Sequence, residues 1–270
     1  MPRHKQDFSK VDQSADPNSY VRTLDMASSL QQVQAVKRLT FELLEIHPGD
    51  HVLDVGCGTG EDVQALAQLV GRTGKVIGID NSATMIAEAQ KRAANLELPV
   101  EFRIGNVLQL DFPDHTFSGC RANRVLTHLT EPRQALMEMV RVARPQARIV
   151  CFDRDWDSLM INADDHRLTR KVTNFICDNY PNGWMGRQLP ILFSECGLID
   201  IQVVSDTLWL TDFAFAEKAM ELRETATQLV EQGVMSKEEM AGWLQEQEER
   251  GRTGRFFAAV TGFAVSGRKS

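Results

Sequence analysis

The chain has 270 residues and a formal net charge of −7, with 43% hydrophobic and 25% charged residues. That length allows one large domain or a domain with an insertion, and the apolar share supplies a sizeable core. The acidic balance (pI about 5.4) argues against nucleic acid as the partner, since phosphate recognition needs a basic face; there is also no signal-peptide pattern and no apolar run long enough to span a membrane.

Residues 1–18 are polar and read as a mobile tail. Residues 19–47 hold two N-terminal helices, with Leu24, Met26 and Leu30 on one stripe and Val33, Val36, Leu39, Leu43 and Leu44 on the next. His47-Pro48-Gly49-Asp50 breaks the helix. Strand and helix then alternate: strand 51–55, helix 60–70, strand 75–80, helix 82–95, strands 100–104 and 117–122, helix 131–143, strand 147–153. Such alternation implies a parallel sheet with helices on both faces, with ligands bound outside the carboxyl ends of the strands.

After residue 153 the rhythm changes. Residues 164–180 and 187–196 read as helices, with an aromatic loop between them, and residues 156–190 are expected to form a lid insertion. Residues 199–210 and 255–265 read as strands of an antiparallel edge, separated by helices 211–232 and 237–249 in a helical insertion of about 211–250. The five cysteines are scattered, with no Cys-x-x-Cys pair, which suits reduced thiols in a cytoplasmic protein.

The strand Val52-Leu53-Asp54-Val55 runs straight into Gly56-Cys57-Gly58-Thr59-Gly60 and then into a helix. Glycines there let the backbone turn sharply and a ligand come close, and the helix presents free N–H groups. A plain tight turn can look the same. The second strand, however, ends in Asp80, and an acid about 20 residues beyond the glycines binds ribose hydroxyls in doubly wound folds. A dinucleotide site needs its third glycine at position 61, which is Glu61, and no Gly-Lys-Ser or Gly-Lys-Thr follows for a P-loop.

Asp54-Val-Gly56-Cys-Gly58-Thr-Gly60, the acidic strand end at Asp80, and the stretch Asn123 to Pro132 resemble the class I S-adenosylmethionine-dependent methyltransferases, over roughly residues 50–153. Within that family the chain is most similar to small-molecule enzymes, including quinone C-methyltransferases and natural-product enzymes. The resemblance implies a Rossmann-like α/β fold over residues 48–270, with a seven-stranded, mostly parallel sheet, N-terminal helices and a helical lid. It implies S-adenosylmethionine as cofactor and S-adenosylhomocysteine as product. Gly56, Cys57, Gly58, Thr59 and Gly60 would meet the methionyl part, Asp54 its amino group, and Asp80 the ribose. Asn81, Ser82 and Met85 would border ribose and adenine, and Gly105, Asn106 and Val107 the adenine, with Asn106 where the family commonly has an acid. Asn123 and Arg124 would pass the methionyl moiety, and Tyr20 would fold over the cofactor.

Methyl transfer from a sulfonium is an in-line displacement, so a general base is needed only where the acceptor must lose a proton. His128, Asp153 and Asp155 stand after predicted strands and are the catalytic candidates, each also readable as a packed or capping residue. Trp156, Tyr180, Trp184 and Arg187 are the candidate acceptor contacts in the lid. No metal-ligand spacing is present. The expected function is an enzyme methylating a small, apolar or aromatic metabolite at oxygen, carbon or nitrogen, with a non-catalytic cofactor-binding homologue or an RNA or protein methyltransferase as alternatives. A homo-oligomer through the N-terminal helices is a further expectation.

Overall fold

The computed structural model describes residues 7–270. A 3-10 turn, Phe8–Gln13, leads into helices α1 (Asn18–Ser28) and α2 (Gln31–Leu43). Then come β1 (His51–Val55), α3 (Glu61–Val70), β2 (Lys75–Asp80), α4 (Ala83–Ala93), β3 (Val100–Ile104), β4 (Phe117–Asn123), α5 (Pro132–Val142) and β5 (Ala143–Arg154). The rest comprises β6 (Met160–Ile161), α6 (His166–Asp178), α7 (Met185–Glu195), β7 (Leu198–Leu210), α8 (Phe213–Met220), α9 (Leu222–Glu231), α10 (Lys237–Arg252) and β8 (Ala258–Lys269).

The strands form one sheet, in the order β3-β2-β1-β4-β5-β8, with β7 on the far side of β8. The first five are parallel; β8 is antiparallel to β5 and to β7. The two-residue β6 extends the β5 edge along β8 and brings the described strands to eight, where seven were expected. The expected antiparallel edge is present. Central strands read as apolar runs because both faces are covered. Leu53, Val55, Ile77, Ile79, Cys120 and Ile149 face α5 and α7, whereas Val52, Val76 and Val150 face the layer of α2, α3 and α4. Gly78 belongs to the second face: a Cβ there would lie 2.7 Å from Val63 of α3 and 2.9 Å from the Cys57 sulfur. Glycine lets the helix after the turn sit tight on β2.

Three expectations are corrected. Within the expected tail of residues 1–18, the portion from residue 7 is built into the fold; residues 1–6 lie outside the described residues. Val11 is buried, and the Asp12 carboxylate accepts from Ser82 Oγ (2.7 Å), Ala83 N (2.7 Å) and Thr84 N, so this segment caps α4. The lid expected over 156–190 divides. Helix α7 is no lid, because Met185, Leu189 and Phe193, one turn apart, bury themselves on the sheet. Helix α6 joins α8, α9 and α10 in a second core around Val172, Ile176, Leu229 and Trp243. Finally, the single helix expected over 211–232 is two, broken at Glu221, whose φ of 49° is left-handed.

The apolar stripe of α2 packs on its own sheet, with Val36 against Phe152 and Ala264.

Candidate functional site

At the carboxyl ends of β1, β2, β4 and β5, beneath the helical cap, lies one cavity of about 320 Å³. Its first wall is the glycine turn. Gly56, Gly58 and Gly60 all have positive φ (66°, 52° and 77°), a conformation that favours glycine. A Cβ on Gly56 would also strike Val125 at 2.5 Å. Cys57 N donates to Ile79 O (2.9 Å), and Gly58 N donates to Asp80 Oδ2 (2.9 Å), which ties the turn to the end of β2. Asp80 Oδ1 accepts from Ser82 N (3.0 Å), and burial raises the Asp80 carboxyl against these two bonds.

Below the turn runs a buried ionic floor that the sequence reading did not include. Arg121, in the middle of β4, donates to Asp54 Oδ1 (2.7 Å), Asp62 Oδ2 (2.8 Å) and Thr40 Oγ1 (2.8 Å). Its guanidinium also lies 4.9 Å from the centre of the Phe41 ring. Lys37 of α2 adds a contact to Asp62 Oδ1 (2.9 Å). Burial raises the Asp54 carboxyl, opposed by Arg121 and reinforced by the charge of Asp62. Burial pushes Asp62 the same way, but Arg121 and Lys37 together overcome it and hold that carboxyl low. The signal was an arginine inside an otherwise apolar strand, which has to find a buried partner.

The cofactor candidates Asp54, Cys57, Gly58, Thr59, Asp80 and Asn81 line the cavity. So do Gly56, Met85, Gly105, Asn106, Val107, Asn123 and Arg124. Asn106 Oδ1 accepts from Leu108 N (2.9 Å) and so also holds its own turn. Three candidates stand behind the wall. Tyr20 is buried edge-on to Phe8, 5.0 Å between ring centres, and Phe8 faces the cavity in its place. Gly60 caps α3 against Phe102 and Ala89. Ser82 caps α4, accepting from Met85 N.

The second half of the cavity is aromatic and apolar. Phe8, His128, Tyr180 and Trp156 form a row: His128 lies 5.4 Å from Phe8 and 5.6 Å from Tyr180, and Tyr180 stacks on Trp156 at 4.6 Å. Leu208, Leu210, Phe215 and Met220, from the end of β7 and from α8, complete the wall together with Glu221. Phe215, Met220 and Glu221 were missed because residues 211–232 read as one helix with a solvated outer face.

Asp155, Trp184 and Arg187 do not reach the cavity, which corrects their assignment. The Asp155 carboxylate is held by the Arg187 guanidinium (Nη2 to Oδ1 2.6 Å, and a close Nε contact) and by Arg187 N. Arg187 in turn lies over the Trp184 ring, half exposed on the outer surface. The three fasten α7 to the end of β5.

Asp153 does line the cavity, fully buried, but both oxygens take backbone N–H groups, from Leu126 (3.1 Å) and Thr127 (3.4 Å). It therefore positions the loop that carries Arg124 and His128. Burial pushes its carboxyl up to about 8, against those two bonds and the charge of Arg124. In the unfolded chain the group ionises at about 4. Its contribution to stability is thus fully present below about pH 4 and is lost as pH rises through about 8. Asp153→Asn keeps the neutral shape. It is expected to flatten the fall in stability between about pH 5 and about pH 8 and to gain on the wild type at the alkaline end. Urea unfolding across that range checks this; parallel profiles for the two proteins would contradict it.

Among the described residues, no group of three His, Cys, Asp or Glu side chains is placed to hold a metal ion, and no helix is long and apolar enough to cross a membrane.

The family model described as a methyltransferase domain matches residues 46–185. An uncharacterized 37.1 kDa protein in transposon TN4556 of Streptomyces fradiae is 35% identical over 257 residues, covering 95% of this chain and 73% of that protein. The demethylmenaquinone methyltransferase of Bacillus mycoides is 29% identical, covering 72% and 86%. Among solved structures, the YcgJ protein of Bacillus subtilis has a TM-score of 0.62 at 17% identity, covering 87% of this chain and 98% of that one. Geranyl diphosphate C-methyltransferase from Streptomyces coelicolor A3(2) has a TM-score of 0.57 at 15% identity, covering 95% and 85%.

Proposed function

The chain belongs to the family of the methyltransferase domain model, and on that premise we propose that it methylates a small, apolar or aromatic metabolite with S-adenosylmethionine, releasing S-adenosylhomocysteine. The observation that carries this reading is the continuity of one cavity. The glycine turn and Asp80 stand at one end, and the aromatic row with Leu208, Phe215 and Met220 at the other. A relative named for a quinone precursor supports an acceptor of this kind.

The residues present suit the cofactor. Asn123 Oδ1 is a buried acceptor without a partner in a wall of the cavity, close to Asp62, as an ammonium group requires. Asp80 offers two carboxylate oxygens to ribose hydroxyls. Met85 and Asn106 border the base. When bound, the cofactor supplies an electrophilic methyl group on sulfur. The chain holds the acceptor in line and keeps water out with the α8–α9 joint and the 3-10 turn. His128 is the group placed to take a proton from a phenol or enol, because burial pushes Asp153 up to about 8, so that it already holds its proton near pH 7, and Asp155 lies outside. An electron-rich carbon would rely on the aromatic row alone.

The test is incubation with methyl-labelled S-adenosylmethionine and pooled phenols, quinols, prenyl compounds and aromatic acids, with products identified by mass. Labelled product from one of these classes, slowed in His128→Ala when the acceptor is a phenol, is the expected result. Cofactor binding without transfer to any of them would support a non-catalytic binding protein instead. Absence of cofactor binding would sink both readings.

A further inference from the structure

Arg124 is the residue that the methyl-transfer chemistry leaves unused. Its backbone sits at φ 61°, in the left-handed region that a residue of this type rarely adopts. The conformation is held by Arg124 N donating to Phe152 O (2.7 Å) and by the Asp153 carboxylate on the following loop. Strain of this sort persists where the surroundings over-determine it. Here it stands at the wall of the cavity.

Among the described residues, the Arg124 guanidinium has no ion pair and no side-chain hydrogen bond. Burial lowers its proton affinity, yet an arginine stays charged in a protein. The carboxyl group beside it, Asp153, is held largely protonated by burial and does not neutralise it near pH 7. Glu221, which also lines the cavity, has an interaction of its own. A second guanidinium, fully buried where Arg124 is partly so, lines the same cavity. Arg154 reaches Asp206 only at 3.5 Å and donates to Val260 O, and the charge of Arg124 bears on it. The charges of Asp62 and Glu61 also reach Arg124, but Asp62 is engaged by Arg121 and Lys37 and Glu61 by Lys37. Leu159, Leu208, Phe215, Met220 and Ala259 line the same cavity. A positive charge in an apolar enclosure is costly unless an anion meets it.

We propose that the acceptor carries a carboxylate or phosphate on an apolar body, and that Arg124, with Arg154 behind it, anchors this anionic group. The inference rests on the methyltransferase reading and names the class of substrate for it. An anion source other than the acceptor is the carboxylate of the cofactor itself. Arg154 and the apolar cap residues Leu208, Phe215 and Met220 line the same cavity, which favours the acceptor, while Asp62 and Arg121 of the ionic floor also bear on Arg124.

The experiment is calorimetric titration of the full chain, saturated with S-adenosylhomocysteine, by 4-phenylbutyrate, 3-phenylpropyl phosphate and the neutral 4-phenylbutyramide. At least one acid is expected to bind tenfold or more tightly than the amide. Arg124→Gln should erase that preference and Arg124→Lys retain part of it. Acid and amide binding alike, or a preference that survives in Arg124→Gln, overturns the proposal. A second arm compares S-adenosylmethionine with its decarboxylated form, without acceptor. If Arg124→Gln weakens the first tenfold and leaves the second unchanged, the guanidinium serves the cofactor and the proposal falls. Equal affinities of wild type and variant for both forms support it and show that the variant is folded. Failure of the wild type to bind S-adenosylmethionine at all would defeat the underlying methyltransferase reading, a different result from either.

Discussion

Arg121→Met is expected to lower the free energy of unfolding by about 3–5 kcal/mol. Its side chain is 1% exposed and gives hydrogen bonds to three groups on β1, α3 and α2. Methionine fills much of the same volume, so packing loss is small. The cost comes from what is left behind. Asp54 is buried and Asp62 is 13% exposed, and Lys37, at one end of the set, is the remaining cation in contact. Either a carboxylate stays charged without a partner or it takes up a proton near neutrality, and both options weaken the fold. By contrast, Arg92→Ala removes partly exposed ion pairs with Asp25 and Glu88 and should cost about 1 kcal/mol or less. Urea unfolding of both variants makes the comparison. A loss in Arg121→Met no larger than that in Arg92→Ala would refute the idea that this cluster is a keystone of the sheet. Replacing Asp54 and Asp62 by Asn in the same background should recover part of the loss, because no uncompensated carboxylate then remains.

How far residues 51–153 could be read in advance follows from what their signals are made of. Strand and helix periods there are local, and the glycine turn has a shape only a few residue types permit, so Gly58 and Asp80 come together by spacing, and the family resemblance adds Asp54. The errors have one physical source: whether a polar or aromatic side chain faces inward depends on a partner distant in sequence. Asp155 looked like Asp153 until Arg187 claimed it. Trp184 and Tyr180 are four residues apart, yet one lies under an arginine outside and the other stacks on Trp156 inside. Tyr20 was displaced by Phe8, which lay in a segment too polar to be read as structured. The break at Glu221 has no glycine or proline to announce it. The glycine-turn end of the cavity is therefore built of short-range pattern, and the aromatic end of long-range packing. On the proposed reading, substrate identity lies in the second.

Asp80→Ala is expected to weaken S-adenosylmethionine binding by about 100-fold. Two hydroxyl donors on one carboxylate form charge-assisted bonds, each worth about 1.5–3 kcal/mol, and even the lower bound for the pair corresponds to roughly that factor. The same side chain accepts from Gly58 N and Ser82 N, so its removal also frees the glycine turn at the point where the backbone must stay close to the ligand. Those effects separate. Asp80→Asn keeps the shape and one acceptor oxygen, and should lose about tenfold where the alanine variant loses 100-fold. Thermal unfolding without cofactor should change less between the two than cofactor affinity does. The pH dependence supplies an independent sign. Burial raises the Asp80 carboxyl, so on acidification the free protein takes up a proton there, which must be released before both oxygens can accept. Wild-type affinity should fall as pH falls, and Asp80→Asn should follow a flatter profile. Calorimetric titration at several pH values reads both quantities. Wild-type affinity retained in Asp80→Ala would remove the ribose contact from this site and, with it, the orientation of the cofactor on which the position of the acceptor depends.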